Sequence, residues 1–366
     1  MSISAKQSAV IDILKGILPF LVVILHTSYV DGLCWKDGAE SFIRLFFVKL
    51  GGIAVPTFFV ISGLLFFSKL QKWDWTVWSN KVIKRIRTLF VPFILWIIID
   101  FIAKYVWGVM HAECPAINIS TFKQFFFDSG GMRMFIDRPQ ITYEPSVLGY
   151  MVDTSKPING PMWYVRDLMV MVILSPLILK LLNVACNYAL IAFFLIYVLF
   201  IGLPFILVSP TALFFFSMGA FFSINGKDFL NIISRFKVLS YVLSIAMLVM
   251  AFLVESQLLG GLVYRLYIIS TVVAIFNLFS DLYEKGVRPV KLLTDSSFFI
   301  YASHAVLITE ISNFILWRTL PITTEWMLVL KVFLRPAVTV GLCLLLFVAM
   351  KKICPKTLGL LTGGRG

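Results

Sequence analysis

Residues 9–30, AVIDILKGILPFLVVILHTSYV, form one apolar run long enough to cross a bilayer as a helix, yet they hold an aspartate, a lysine and a histidine. At about 100° per residue, the eleven positions from Lys15 to His26 leave the two side chains about 20° apart around a helix axis. Asp12 falls about 40° to the other side of His26 by the same count. One stripe therefore carries a carboxylate, an ammonium and an imidazole across most of the membrane depth. Ionisable groups are costly in hydrocarbon and normally face a bundle interior or a water-filled cavity, so the stripe reads as a functional path. The plainer reading places Lys15 at one interface and His26 at the other, each snorkelling toward water.

Composition fixes the class. Hydrophobic residues make up 60% of the chain, charged residues only 14%, and the mean hydropathy is +0.93. Apolar windows recur from end to end without a polar stretch large enough for a separate globular domain, so residues 1–366 read as one all-α, polytopic membrane domain. Ten spans are expected, at 9–30, 47–68, 88–110, 161–182, 187–207, 210–224, 237–254, 260–280, 296–317 and 326–349. The net charge of +13 could suggest nucleic acid, but the bases gather in short loops, which is the mark of membrane orientation. With the N-terminus cytoplasmic, Lys69, Lys72, Lys81, Lys84, Arg85, Arg87, Lys180, Lys227, Arg235, Lys285, Arg288, Lys351 and Lys352 all fall inside. The first run holds charged residues and no small-residue cleavage pattern, so it is not expected to be a removable signal peptide.

The longest connection, about residues 111–160, faces outward in this scheme and mixes acids, bases, Gly and Pro; it reads as a lid or acceptor-side surface, or as a plain connection. Cys34 and Cys114 fall on the outer side, where a disulfide is chemically permitted. His26, His111 and His304 are too scattered for a metal site, and neither a Gly-rich phosphate loop nor a Gly-x-Ser-x-Gly elbow occurs.

Other polar residues fall at membrane depth. Ser297, Tyr301 and His304 share a helix face in the ninth span, either as a site or as a hydrogen-bonded core group. Trp163, Arg166 and Asp167 open the fourth span, where Trp163 also fits an interfacial belt. Asp100 and Lys104, four apart, neutralise each other and need no further role. Arg265 and Arg335 cannot shed their charge, so each needs a carboxylate, a phosphate or water and is a candidate for lining a cavity.

These segments together resemble the acyltransferase-3 family of integral membrane acyltransferases. The first span is similar to the family's helix with a basic residue followed by His, GGIAVPTFFVISGLLFF to its Gly-Val-Pro-x-Phe-Phe pattern, and KRIRTLFVPFILW to its basic cytoplasmic entrance to the third helix. NGPMWYVRDL resembles its Trp-containing fourth helix and SFFIYASHAVLI its late Tyr-x-x-His helix. The matches run in the family's order from Asp12 to about residue 310. Lys15 stands where the family usually has Arg, which keeps the charge but loses the planar fork. The basic entrance offers Lys84 and Arg87 three apart, with Arg85 between. The resemblance implies ten helices with both termini cytoplasmic, in the bacterial cytoplasmic membrane, without the extracytoplasmic hydrolase-like domain of some relatives. It also implies transfer of an acyl group, most often acetyl, from cytoplasmic acyl-CoA to a hydroxyl of a cell-envelope, extracellular or lipid-linked glycan, with no tightly bound cofactor and no nucleic-acid partner.

On that reading Lys84, Arg85 and Arg87 meet the CoA phosphates, and His26 takes the proton of the acceptor hydroxyl. Asp12 or Lys15 orients the donor or tunes the local field, and Tyr301 and His304 hydrogen-bond the sugar or the developing oxyanion. A transporter or flippase for an anionic or acylated molecule is the rival from another class. It would use the same buried charges with Pro19, Pro56 and Pro92 as helix breaks, but the two halves of the chain show no convincing repeat. The charge scheme is testable with cysteines introduced after Cys34 and Cys114 are replaced by Ser. An impermeant thiol reagent applied to intact cells is expected to label position 129 and miss position 79; the opposite pattern inverts the orientation.

Overall fold

A computed structural model describes residues 3–28, 39–68, 74–110, 123, 127, 134–136, 142–154, 156–203, 208–321 and 324–365. The first helix, α1 (Ala5–Thr27), starts at Ser4, whose hydroxyl accepts from the Gln7 amide at 3.2 Å. It runs through Pro19 and packs against five helices among the described residues: α2 (Ala39–Gly51), α3 (Ala54–Phe67), α12 (Gln257–Glu284), α13 (Lys291–Ser303) and α15 (Glu325–Ile353). The wrapped face buries Val10, Leu14, Leu18 and Val22, each at most 2% exposed.

Among the described residues, six helical stretches are long and apolar enough to span a membrane: Ala5–Thr27, Ser41–Phe67, Trp75–Met110, Gln257–Glu284, Lys291–Thr319 and Glu325–Ile353. The fourth expected span is a bent pair, α6 (Trp163–Ile173) and α7 (Ser175–Val184), which passes the same test with a 61° bend between its halves. The expected fifth, sixth and seventh spans correspond to shorter apolar helices, α8 (Cys186–Val198), α9 (Pro210–Ile224) and α11 (Lys237–Leu253). Their 13, 15 and 17 residues fall below the roughly 20 that a straight crossing needs. A short helix, α10 (Phe229–Ser234), joins the last two. Large apolar side chains such as Ile353, Tyr188, Val184 and Trp75 lie on the outside, while arginines and aspartates lie within. The chain is an α-helical multi-pass membrane protein.

Besides the bent fourth span, three others depart from a continuous helix. The second is broken after Gly51, between α2 and α3. The third begins earlier than expected, because α4 (Trp75–Arg85) runs through a π-turn at Ile86–Phe90 into α5 (Val91–Met110). The ninth is interrupted by a π-turn at His304–Ile308 between α13 and α14 (Thr309–Thr319). Leu307 takes φ of +57° there, a left-handed conformation that is unfavourable for a branched side chain. Such interruptions inside helices concentrate at functional positions.

The fold is not purely helical. The long connection expected on the outer side includes an antiparallel hairpin, β1 (Thr142–Pro145) and β2 (Met151–Thr154), paired in register from Thr142 with Thr154 to Pro145 with Met151. The hairpin is docked on the end of α8: the Ser146 hydroxyl donates to the Leu199 carbonyl at 3.0 Å, as does the Val147 amide. Cys34, Cys114 and His111 lie outside the described residues, and so does position 129.

The closest helix contact joins α3 to α9. A Cβ placed on Gly63 would stand 2.1 Å from the Phe216 carbonyl oxygen, and one on Gly219 would stand 2.2 Å from that of Val60. Each glycine thus admits the other helix's backbone, the packing that small residues permit where lipid supplies no hydrophobic drive between helices. Either Gly63→Ala or Gly219→Ala is expected to cost about 1–3 kcal/mol by overpacking, read as a lower melting temperature of the detergent-purified protein.

Candidate functional site

The Lys15–His26 stripe lies between two cavities. The one beside Lys15, about 380 Å³, is lined by Lys15, Arg85, Tyr164, Thr294, Ser297, Tyr301 and Arg365 among others. The one beside His26, about 620 Å³, is lined by His26, Glu144, Lys156, Trp163, Arg166, Tyr197, Arg265 and again Tyr301. Along an α-helix, eleven residues span about 16 Å, so α1 lines the two cavities at different levels, one at its middle and one near its C-terminal end. Tyr301 walls both. It is 3% exposed, its hydroxyl donates to the Pro161 carbonyl, and its ring stands edge-on to Tyr164 with centroids 5.8 Å apart. The Tyr164 hydroxyl is in turn 3.1 Å from that of Ser62.

In the larger cavity the His26 ring faces His304 at a centroid distance of 5.3 Å. The accessible surface of His26 is turned to this cavity, whereas His304 is fully buried, with Nδ1 3.2 Å from the Ile300 carbonyl. The π-turn begins at His304, so the residue sits where the helix changes direction. Ser297 and Tyr301 line the smaller cavity together, and the centre of the Tyr301 ring lies 6.5 Å from that of His304.

The remaining expectations divide cleanly. Arg265 lines the larger cavity, with its guanidinium 4.2 Å from the centre of the Phe200 ring and Glu144 as its electrostatic partner. Trp163 lines it too, against Phe59. Arg166 reaches its edge but is committed to structure: it binds the Asp167 carboxylate at 2.7–2.8 Å and the Phe135 carbonyl at 2.9 Å. Asp12 ion-pairs with Lys15 at 3.1 Å and lines neither cavity. Asp100 and Lys104 pair at 2.8 Å, as their spacing predicts.

Three further candidates lie outside these two cavities. Arg335 lines neither cavity; it is 3% exposed within α15, where its carbonyl accepts from the Thr339 hydroxyl at 2.8 Å. Lys84 and Arg87 are exposed on the outer face of the α4–α5 helix, and of the basic cluster only Arg85 enters a cavity. Residues three apart share a helix face, so Lys84 and Arg87 turn outward together, while Arg85, about 100° round the axis from Lys84, enters the cavity.

Sequence reasoning missed Glu144, Lys156 and Arg365 as site residues. Glu144 sits on the hairpin strand β1, and burial pushes its carboxyl above the usual carboxylate range while Arg265 and Lys156 pull it back. The hairpin thus brings a carboxylate and the Tyr150 ring to the wall of the larger cavity, and Lys156 joins them from the segment that follows it. Nothing in the loop's composition marked a strand there. Among the described residues no three His, Cys, Asp or Glu side chains converge as metal ligands would.

The buried Arg166–Asp167 pair, at 4% and 0% exposure, fixes the mouth of α6. Asp167→Ala strands the guanidinium, and a loss of about 3–5 kcal/mol is expected, measured as thermal unfolding in detergent.

Comparison with known proteins adds to this geometry. A family model described as an acyltransferase domain, that of the acyltransferase-3 family, matches residues 9–348. The succinoglycan biosynthesis protein ExoH of Rhizobium meliloti (strain 1021) is 26% identical over 242 residues, which cover 63% of this chain and 58% of that protein. The chain thus aligns with less than two thirds of that relative's length. No solved structure matches.

Proposed function

The chain belongs to the acyltransferase-3 family, and from that membership we propose that it moves an acyl group, most simply acetyl, from cytoplasmic acyl-CoA to a hydroxyl of an extracytoplasmic carbohydrate. A polysaccharide or lipid-linked glycan is the acceptor class this reading takes, in keeping with the relative named for succinoglycan biosynthesis. One observation carries it: two cavities lie at different levels along α1 and share Tyr301 as a wall, with a basic residue in one and a histidine in the other. The reading also takes the three short apolar helices as crossings, giving ten spans with Lys15 toward the cytoplasm.

The chemistry then divides between the cavities. CoA phosphates rest in the smaller one against Lys15 and Arg85. The thin pantetheine arm carries the thioester past Tyr301 toward His26. The sugar occupies the larger one, where Trp163 and Tyr150 offer ring faces and Glu144 and Arg265 offer hydrogen bonds. The acceptor oxygen attacks the thioester carbonyl as its proton passes to His26, and the C–S bond breaks when the tetrahedral intermediate collapses. The imidazolium returns its proton to the CoA thiolate, so the base is regenerated. The ring of His304 at 5.3 Å holds the orientation of His26.

Incubation of purified protein with labelled acetyl-CoA and envelope glycans tests this. Labelled glycan and free CoA are expected in equal amounts; an intact thioester with vectorial movement of an unmodified molecule supports transport instead. His26→Asn keeps much of the shape and is expected to lower turnover about 10²–10⁴-fold without loss of folded protein. Near-normal transfer by that variant removes His26 as the base.

A further inference from the structure

The smaller cavity has a wall that comes from the far end of the chain. After α15, the helix α16 (Pro355–Thr362) turns back and packs on α5 and α13. It is docked in detail: Leu358, Leu361 and Thr362 are at most 6% exposed, and the Trp96 indole donates to the Leu361 carbonyl at 2.9 Å. The helix ends at Gly363 in the left-handed region, φ +63°, and a Cβ there would stand 2.4 Å from the Thr88 carbonyl oxygen. That turn carries Arg365 into the cavity, where it donates to the same Thr88 carbonyl at 3.2 Å and lies 4.9 Å from the centre of the Phe298 ring.

Three cations thus face 380 Å³ of cavity: Lys15, Arg85 and Arg365. The acids nearby are already engaged, Asp12 by Lys15 and Asp295, the acid on the cavity wall, by Lys351. Neither Arg85 nor Arg365 forms an ion pair with a carboxylate among the described residues. Two guanidiniums held together without a counter-charge make a site for an anion with several oxygens.

We propose that Arg365, delivered by the Gly363 turn, is a donor-binding residue that joins Arg85 in gripping a phosphate group of the acyl-CoA. This rests on the acyl-CoA reading above and adds a contact from the segment after the last long helix. Burial, and then the like charge of Arg85, bring the Arg365 guanidinium down to about 10, with Tyr164 opposing; a bound phosphate relieves both strains. Ligand and tail then stabilise each other, since docking of α16 completes the site and the phosphate ties down its last turn.

The test is CoA binding to the purified full chain in detergent, alongside steady-state transfer. Arg365→Gln is expected to weaken CoA binding and raise the KM for acyl-CoA about 10- to 100-fold, with the acceptor KM unchanged; Arg365→Lys recovers part of it. Gly363→Ala, which displaces the turn, is expected to follow Arg365→Gln. Arg85→Gln serves as the positive control for loss of binding. Binding and KM within twofold of the parent in Arg365→Gln, while Arg85→Gln loses both, overturns the assignment and leaves the transferase reading standing. CoA bound in an Arg365-dependent manner, without any acyl transfer, does the reverse.

Discussion

Hydrocarbon offers a charge neither solvent nor counter-ion, and most of the architecture follows from how the chain meets that constraint. Asp100 is answered by Lys104, Arg166 by Asp167 and Lys237 by Asp281, so these charges close upon themselves. Lys331, 2% exposed, rests its ammonium 4.1 Å from the centre of the Trp317 ring. Lys15, Arg85, Arg265 and His26 are different, because space is kept open beside them. The bundle could have packed apolar side chains into that volume. That it surrounds two cavities with the least lipid-compatible residues of the chain is the strongest structural sign that polar molecules enter there.

Much of this was legible in the residues because membrane spans are written in long, strongly apolar runs. The run from Ala5 to Thr27, and the coincidence of Lys15 and His26 on one stripe, needed only helix periodicity. Boundaries were less legible where a span is assembled from pieces. The 61° bend between α6 and α7, and the π-turns at Ile86 and His304, preserve hydropathy while changing direction, so no composition window registers them. Arg335 is less legible: charge in a span suggests a cavity wall, but this residue is 3% exposed and lines neither of the two cavities. The hairpin that brings Glu144 to the larger cavity, and the return of Arg365 to the smaller one, depend on tertiary paths of tens or hundreds of residues. Local pattern carries no record of them.

The two cavities are built from the same pair of helices. Lys15 and His26 come from α1, Ser297 and Tyr301 from α13, and the two elements lie against each other along their length. A shift of α13 relative to α1 would therefore alter both chambers at once. The Tyr301 hydroxyl, held by the Pro161 carbonyl, ties that pair to the start of α6, and the helix gives way just beyond it at His304. Rigidity lies on one side of the partition and a break on the other, an arrangement suited to a wall that must yield to a narrow ligand.

The partition has an electrical consequence. A transmembrane voltage falls across whatever insulates, and hydrated cavities conduct it inward from both ends. If the two cavities admit water from opposite faces, as the proposed function requires, the drop is compressed from the full bilayer onto the aromatic side chains around Tyr301 and Tyr164. Moving one elementary charge through 100 mV amounts to about 2.3 kcal/mol. Any charge that crosses this septum, whether a proton or an anionic carrier, would experience nearly all of that energy within the thickness of a phenol ring. The tyrosine that separates the chambers is also where the cell's voltage would act on the protein.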